Sequence, residues 1–338
     1  MDNDTLITVL NTINSILATT VVVSTTIHDL DIVFKNKLRL QKISKYDNCI
    51  ITENHFIDNH TIEERKSSID EENKKYLLSF LTKLEAYTSK ENLTVAYHNI
   101  KSLELYRFPR LIMLFVNIMS RASFSGVYIA QTNNLATIKK DSAFSHEFLH
   151  MCSTSYDEEN DIIYNGFSQS CDTTYIGIGL TEGYTELLKS RIYNNNKTTA
   201  YSKEVKIAKL FEFFFDNPKD MEKFYFKHDL PGFIHYMEKF APKQEIIDIL
   251  LKIDSINLLG DSILPISIIE YTKVQLELYK WFIKENKNPE KLQQFTNLLC
   301  KNKIVSMILN NKKMKLYKEN IYSDQTQISS LEEHNIKK

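Results

Sequence analysis

The feature that most constrains this chain is a pair of histidines four residues apart, His146 and His150, with Glu147 directly after the first. Residues four apart share one face of an α-helix, so both imidazoles can point at one ligand while the carboxylate flanks it. The other side of such a helix is apolar, as in a helix that packs on a core, and carries Phe144, Phe148, Leu149, Met151 and Cys152. The pattern predicts a helix that presents two metal-ligating nitrogens and a base. The alternative is a buried helix with two structural histidines and a solvated glutamate.

A catalytic zinc site takes three protein ligands and leaves one position for water, so another part of the chain must supply the third ligand. The segment Gly177–Leu188 contains Glu182 and Glu186, which share a helix face. Thr181 is predicted as the N-cap, which places Glu182 in the first turn, where the helix dipole favours a carboxylate. Glu182 could bind the metal while Glu186 accepts a hydrogen bond from the far nitrogen of a liganding histidine. The alternative is a surface helix with two ordinary glutamates.

H-E-x-x-H followed by a helix that begins x-E-G-x-T-E resembles the gluzincin group of zinc metallopeptidases. The resemblance covers about residues 120–195. It implies a zincin-like core that holds one Zn²⁺ ion. It implies that the zinc ligands are His146, His150 and Glu182. It also implies that Glu147 is the general base and that Glu186 is the hydrogen-bond partner of His146.

The chain departs from the gluzincin pattern in two ways. Thirty-one residues separate His150 from Glu182, more than is usual in that group, so an insertion must loop out. Thr181 stands where the group has a familiar Asn. The competing pattern H-E-x-x-H-x-x-G-x-x-H is excluded, because this chain has Ser153 and Tyr156 at the positions of its Gly and last His.

The whole sequence predicts an α+β fold that is predominantly helical. Only seven Gly and six Pro indicate long helices and few tight turns. We expect an N-terminal helical segment at residues 1–60 and a zincin-like catalytic core at 61–200. This core is expected to contain a small mixed or antiparallel sheet and the active-site helix. A helical C-terminal subdomain is expected at 201–318 and a disordered tail at 319–338.

Hydrophobic periodicity predicts one or two helices within Thr5–Leu40, where Val21–Val23 would also suit a strand, and a loop at 45–61. Further helices are predicted at 62–90, Pro109–Met119, 202–216, 218–227, 231–240, 243–254, 266–286 and 289–309.

Strands are predicted at Leu93–Tyr97 and Leu103–Phe108, and Asn165–Gly166 has the composition of a tight hairpin turn. Gly126–Ala130 and Leu135–Ile138 predict a hairpin directly before the His146 helix. A hairpin edge beside a metal could hold an extended peptide by strand addition.

The net charge of -1 gives no reason to expect a nucleic acid or a membrane as partner. The chain starts with the acidic segment Met1–Asp4, and polar residues interrupt the apolar stretch Leu6–Ile27, which no A-x-A-like site follows. We therefore expect neither a signal peptide nor a membrane span. Four cysteines without C-x-x-C spacing are expected to be reduced thiols in a cytoplasmic protein. Cys152 and Cys171 could be further ligands or a disulfide, but buried apolar roles are favoured.

Several other residues are weaker candidates. The acidic run Asp157–Asp161 could supply ligands, although a solvated loop is favoured. Structural or surface roles are also favoured for two histidines and three tyrosines, any one of which could stabilise an oxyanion. These residues are His228, His235, Tyr175, Tyr184 and Tyr193.

The leading hypothesis is a zinc-dependent peptidase that acts on a peptide or protein substrate, with Glu147 as the general base. The rival hypothesis is a catalytically inactive zincin-like helical protein with a binding or regulatory role.

Overall fold

A computed structural model describes residues 71–107, 126–137, 142–171, 174–193, 200–259, 265–285 and 288–310. In this part of the chain helices dominate and the strands form two small sheets, so the α+β, predominantly helical class is confirmed. Contacts divide the chain into two compact units, Met1–Tyr271 and Thr272–Lys338. The segments expected from the sequence, with boundaries after residues 60, 200 and 318, stay predictions. The candidate site lies within the first unit.

The first sheet precedes the His146 helix. Helix α1 (Glu71–Tyr87) and helix α2 (Thr94–Ile100) lead into strand β1 (Glu104–Arg107). Strand β3 (Asn134–Thr137) pairs parallel with β1 and antiparallel with β2 (Gly126–Ile129). The hairpin predicted before His146 is thus confirmed. Among the described strands, β2 lies at an edge of this sheet, in the order β1-β3-β2.

Helix α3 (Ser142–Cys152) carries the H-E-x-x-H motif and buries its apolar side. A four-stranded antiparallel sheet follows, formed by consecutive strands β4 (Thr154–Asp157), β5 (Ile162–Asn165), β6 (Ser168–Cys171) and β7 (Thr174–Ile176). This sheet occupies the segment between His150 and the glutamate helix. The tight turn predicted at Asn165–Gly166 is found one residue later, at Gly166–Phe167, where it joins β5 to β6, and Gly166 has a φ of +57° that favours glycine.

Helix α4 (Ile178–Ile192) carries Glu182 and Glu186. It is followed by helices α5 (Ser202–Glu212), α6 (Lys219–Phe226), α7 (Leu230–Met237) and α8 (Lys243–Leu259). The core between these helices is aromatic, and its fully buried members include Phe167, Tyr184, Phe211, Phe215, Tyr225 and Phe233. Large rings in contact, such as Phe167 with Tyr184 at a centroid separation of 5.2 Å, hold the helices that frame the site.

Helix α9 (Pro265–Glu285) contains the division between the two units, and α10 (Pro289–Leu299) and α11 (Lys303–Asn310) belong to the second. The single helix predicted at 289–309 is wrong. The chain turns after α10, and the Asn302 side chain accepts the Ile304 backbone N–H at 3.1 Å, which starts a new helix.

The strand predicted at Leu93–Tyr97 is also wrong, because Thr94–Ile100 is a helix. Its Val95 and Ala96 are buried, and packing one helical face outweighs the local β-propensity of the segment. The predictions for Thr5–Leu40, 45–61, Pro109–Met119 and 319–338 lie outside the described residues. Of the helices in the described ranges, none combines the length and hydropathy needed to cross a bilayer. The cytoplasmic location stays a prediction.

Candidate metal centre

Two helices bring the three predicted ligands together. His146 and His150 come from α3 and Glu182 comes from α4. The Nε2 atom of His146 lies 2.9 Å from Oε2 of Glu182, and the Nε2 atom of His150 lies 3.4 Å from Oε1. The two Nε2 atoms are 3.0 Å apart. Both histidines are buried and Glu182 is half-buried, and the three side chains form a compact group whose ligand atoms all lie within 4.8 Å of one another.

The separations of these atoms suit a zinc ion. Ligand atoms at about 2.0–2.1 Å from a tetrahedral ion lie roughly 3.3 Å from one another. The separations of 2.9, 3.0 and 3.4 Å are close to that value. Two neutral imidazole nitrogens that face each other also need a proton or a cation between their lone pairs. The donor set of two imidazoles and one carboxylate is one that catalytic zinc sites use. The residues therefore fit one Zn²⁺ ion.

The far nitrogen of each imidazole is held by a further side chain. His146 Nδ1 lies 3.2 Å from Oε2 of Glu186, which also forms an ion pair with Lys189. His150 Nδ1 lies against the Asn165 amide, 3.3 Å from its Oδ1 atom and 3.2 Å from its Nδ2 atom. If each Nδ1–H donates to these oxygens, each Nε2 keeps its lone pair and faces the other ligands. The structure places Glu186 at the His146 nitrogen that faces away from Glu182.

The electrostatics of the group reflect its tight packing. Burial lowers the pKa of His146, but the hydrogen bonds to Glu182 and Glu186 and the nearby negative charges outweigh this effect and raise that pKa to about 10. Burial raises the pKa of Glu182, but the two histidines outweigh it and hold that pKa far below the usual range. The cluster therefore favours positive charge among its nitrogens, which a proton or a metal ion can supply.

Glu147 flanks this group and is half-buried. Burial raises the pKa of Glu147, and its attraction to His146 and His150 acts in the opposite direction. Hydrogen bonding with the Tyr128 backbone also lowers this pKa, so the carboxylate lies next to strand β2. A carboxylate with a raised pKa beside a metal is suited to accept a proton and return it.

Tyr201 is a residue of this site that the sequence reasoning missed. Its ring stacks on that of His146 with centroids 5.4 Å apart and planes 18° apart. The charge of Glu182, burial and the charge of Glu147 all raise the pKa of the Tyr201 phenol, which also hydrogen-bonds Glu182. Tyr201 has a φ of +53°, a left-handed conformation that costs a tyrosine energy and that the surrounding packing must hold. The site therefore contains a protonated phenol.

Thr181 does not cap the glutamate helix as predicted. The helix begins at Ile178, and Gly177 is its N-cap residue, so Glu182 lies in the second turn. Thr181 is buried instead, where its hydroxyl donates to the Asn165 carbonyl at 3.1 Å and accepts the Phe167 N–H at 3.0 Å. These bonds tie the hairpin that carries Asn165 to the helix that carries Glu182.

Gly183 explains how closely the glutamate helix approaches its neighbour. A Cβ at this position would lie 2.4 Å from the carbonyl carbon of Glu204 and 2.5 Å from its oxygen. Only glycine therefore lets the backbones of α4 and α5 come so near. The same contact keeps Tyr201, which immediately precedes α5, close to Glu182.

Four of the five weaker oxyanion candidates, His228, His235, Tyr184 and Tyr193, occupy structural or surface positions. His228 is fully buried with its Nε2 atom 2.9 Å from the Ser155 hydroxyl, and burial lowers its pKa to about 4. His235 is exposed and pairs with Glu238. Tyr184 is buried in the aromatic core and the Tyr193 hydroxyl accepts a hydrogen bond from Ser145.

Asp157 and Cys152 also have structural surroundings. Asp157 accepts the backbone N–H groups of Glu159 and Asn160 at 3.0 and 3.1 Å, so it organises the β4–β5 turn. Cys152 is a buried free thiol, in agreement with the apolar role that the sequence favours. Asn165 and Tyr201 carried no signal in the sequence, because each reaches the site only through tertiary packing.

No family model matches this sequence, and no curated protein or solved structure is similar enough to count as a relative. The functional interpretation consequently depends on the geometry of the site.

Proposed function

We propose that this protein is a zinc-dependent peptidase of the gluzincin type with a zincin-like catalytic core. The observation that carries the proposal is the triangle of His146, His150 and Glu182 with Glu147 beside it. A bound zinc ion would supply Lewis acidity and lower the pKa of a water molecule.

The side chains around this triangle have distinct roles in peptide hydrolysis. Glu147 accepts a proton from the attacking water as the new C–O bond forms, and returns the proton to the leaving amine as the C–N bond breaks. Tyr201 donates its phenol hydrogen to the carbonyl oxygen as negative charge develops there. Glu186 and Asn165 orient the two imidazoles.

The position of strand β2 supports a peptide as the substrate. β2 lies at an edge of the described sheet, and Tyr128 of this strand contacts the Glu147 carboxylate through its backbone. An extended peptide that pairs with this edge would bring a backbone carbonyl next to the base.

The test is cleavage of a quenched-fluorescence peptide library by the zinc-loaded protein. Glu147→Gln is expected to lower kcat/KM at least about 100-fold while zinc stoichiometry stays the same. Glu159→Gln, an exposed glutamate on the β4–β5 turn, is the matched control and should keep full activity. Unchanged cleavage by Glu147→Gln would refute the assignment of Glu147 as the general base. A zinc-loaded protein that cleaves no peptide would favour the inactive zincin-like alternative.

A second variant tests whether the Tyr201 phenol donates a hydrogen bond to the carbonyl oxygen of the substrate. Tyr201→Phe keeps the ring on His146 but removes the donor, so kcat is expected to fall about 100-fold with little change in KM. Tyr193→Phe, whose hydroxyl contacts Ser145 instead, is the control. Equal kcat values for the two variants would contradict the role of Tyr201.

A further inference from the structure

The glutamate helix α4 has a cap that comes from another helix. The first backbone N–H groups of a helix have no acceptor within it and need another partner. The N-cap residue, Gly177, has no side chain to provide one. The N–H groups of Gly177 and Gly179 donate instead to Asp254 of helix α8, at 2.9 and 2.8 Å. The cap therefore lies 77 residues away from Gly177 in sequence.

The Asp254 side chain is well suited to this position. It is 1% exposed, and each of its carboxylate oxygens accepts one of the two N–H groups. A buried carboxylate is costly to leave without hydrogen bonds, and bonds from N–H groups to a charged oxygen are stronger than neutral ones. The positive end of the helix dipole adds to this attraction. Asp254 therefore holds the start of α4 firmly.

Close backbone contacts fix the same helix start on two sides. A Cβ on Gly179 would lie 2.6 Å from the carbonyl oxygen of Ile253. A Cβ on Gly177 would lie on the backbone carbonyl of Phe167. The start of α4 is thus enclosed between helix α8 and the β5–β6 hairpin.

We propose that Asp254 is a positioning residue that fixes the start of α4, and thereby aims Glu182 at the two imidazoles. This inference rests on the proposed metal site. Each residue of an α-helix advances 1.5 Å along the axis and turns 100° about it, so a slip of one position would turn Glu182 away from His146 and His150. The cap at Gly177 and Gly179, one turn before Glu182, opposes such a slip.

The experiment compares Asp254→Asn with Asp248→Asn, a change on the same helix at a partly exposed aspartate that accepts a surface bond from Gln244. Zinc affinity is measured by chelator competition, and amide hydrogen exchange is followed in the metal-free protein. Asp254→Asn should weaken zinc binding by about 10- to 100-fold. Exchange at residues 177–183 should accelerate at least about tenfold, while exchange in α3 stays as in the wild type. Asp248→Asn should change neither quantity.

The inference is overturned if Asp254→Asn binds zinc within twofold of the wild type, or if exchange at residues 177–183 does not change. Exchange that accelerates equally in α3 and α4 also overturns it, because Asp254 would then stabilise the unit in general. If Asp254→Asn fails to fold, Asp254→Ser, which keeps one acceptor oxygen, is measured in its place. If the wild type binds no zinc, the proposed function fails, and local exchange alone decides the role of Asp254.

Discussion

Gly183→Ala reverses the usual effect of replacing a helical glycine. Alanine normally stabilises a helix interior by about 1 kcal/mol relative to glycine. Here the new Cβ would lie 2.4 Å from the Glu204 carbonyl carbon. An ordinary carbon–carbon contact is about 3.5 Å or more, so α4 and α5 must separate by roughly 1 Å. Overpacking of this kind costs about 1–3 kcal/mol, and contact with rigid backbone places the cost at the upper end.

We therefore expect Gly183→Ala to lower the free energy of unfolding by about 2 kcal/mol after the helix-propensity gain is included. The assay is denaturant unfolding with a chelator present, so that metal binding does not contribute. Ser190→Ala, later on the same helix, is the control and should change stability by less than about 0.5 kcal/mol. A stability of Gly183→Ala equal to or above that of the wild type would refute the close approach of α4 and α5.

Three further perturbations test other contacts. Glu186→Gln should weaken zinc binding about 10- to 100-fold in a chelator competition, because His146 loses a charged acceptor; unchanged affinity would contradict this. The pKa of His228 is about 4 in the folded protein, against an ordinary value of 6.5. Between these two pH values the unfolded chain takes up a proton at this residue while the folded protein does not. The free energy of unfolding is therefore highest above about pH 6.5 and falls by about 3 kcal/mol towards pH 4. His228→Asn, which tolerates the positive φ of this position, should flatten that part of the pH profile of unfolding, and an unaltered profile would count against it. Asp157→Ala should cost about 1 kcal/mol by thermal unfolding and leave zinc content unchanged, whereas lost zinc would make Asp157 a ligand.

Local periodicity is sufficient to predict the main residues of the candidate site. The spacing of His146 and His150 fixes a shared helix face, and the spacing of Glu182 and Glu186 does the same on the second helix. The structure brings these four residues together. The motif helix could be predicted because it has an apolar side opposite the two histidines. The glutamate helix is buried on most of its surface, so only the spacing of its two glutamates indicated which residues share a face.

The contacts that complete the site depend on tertiary packing, and the sequence could not reveal them. Asn165 reaches His150 because a hairpin folds back on the motif helix, and Tyr201 reaches His146 because α5 packs against Gly183. For the same reason the local pattern predicts a helix start at Thr181, which is wrong. The side chain that accepts the first N–H groups of this helix is Asp254, which is distant in the chain and gives no local signal.

Zinc binding by the purified protein tests the central claim most directly. Metal analysis of protein dialysed against zinc, combined with X-ray absorption at the zinc edge, should give one ion per chain with two imidazole ligands and one carboxylate. Glu182→Ala should lose tight binding, because the carboxylate lies within 2.9 Å of the His146 nitrogen. A wild-type protein that retains no zinc, or a Glu182→Ala variant that binds it as tightly as the wild type, would contradict the account.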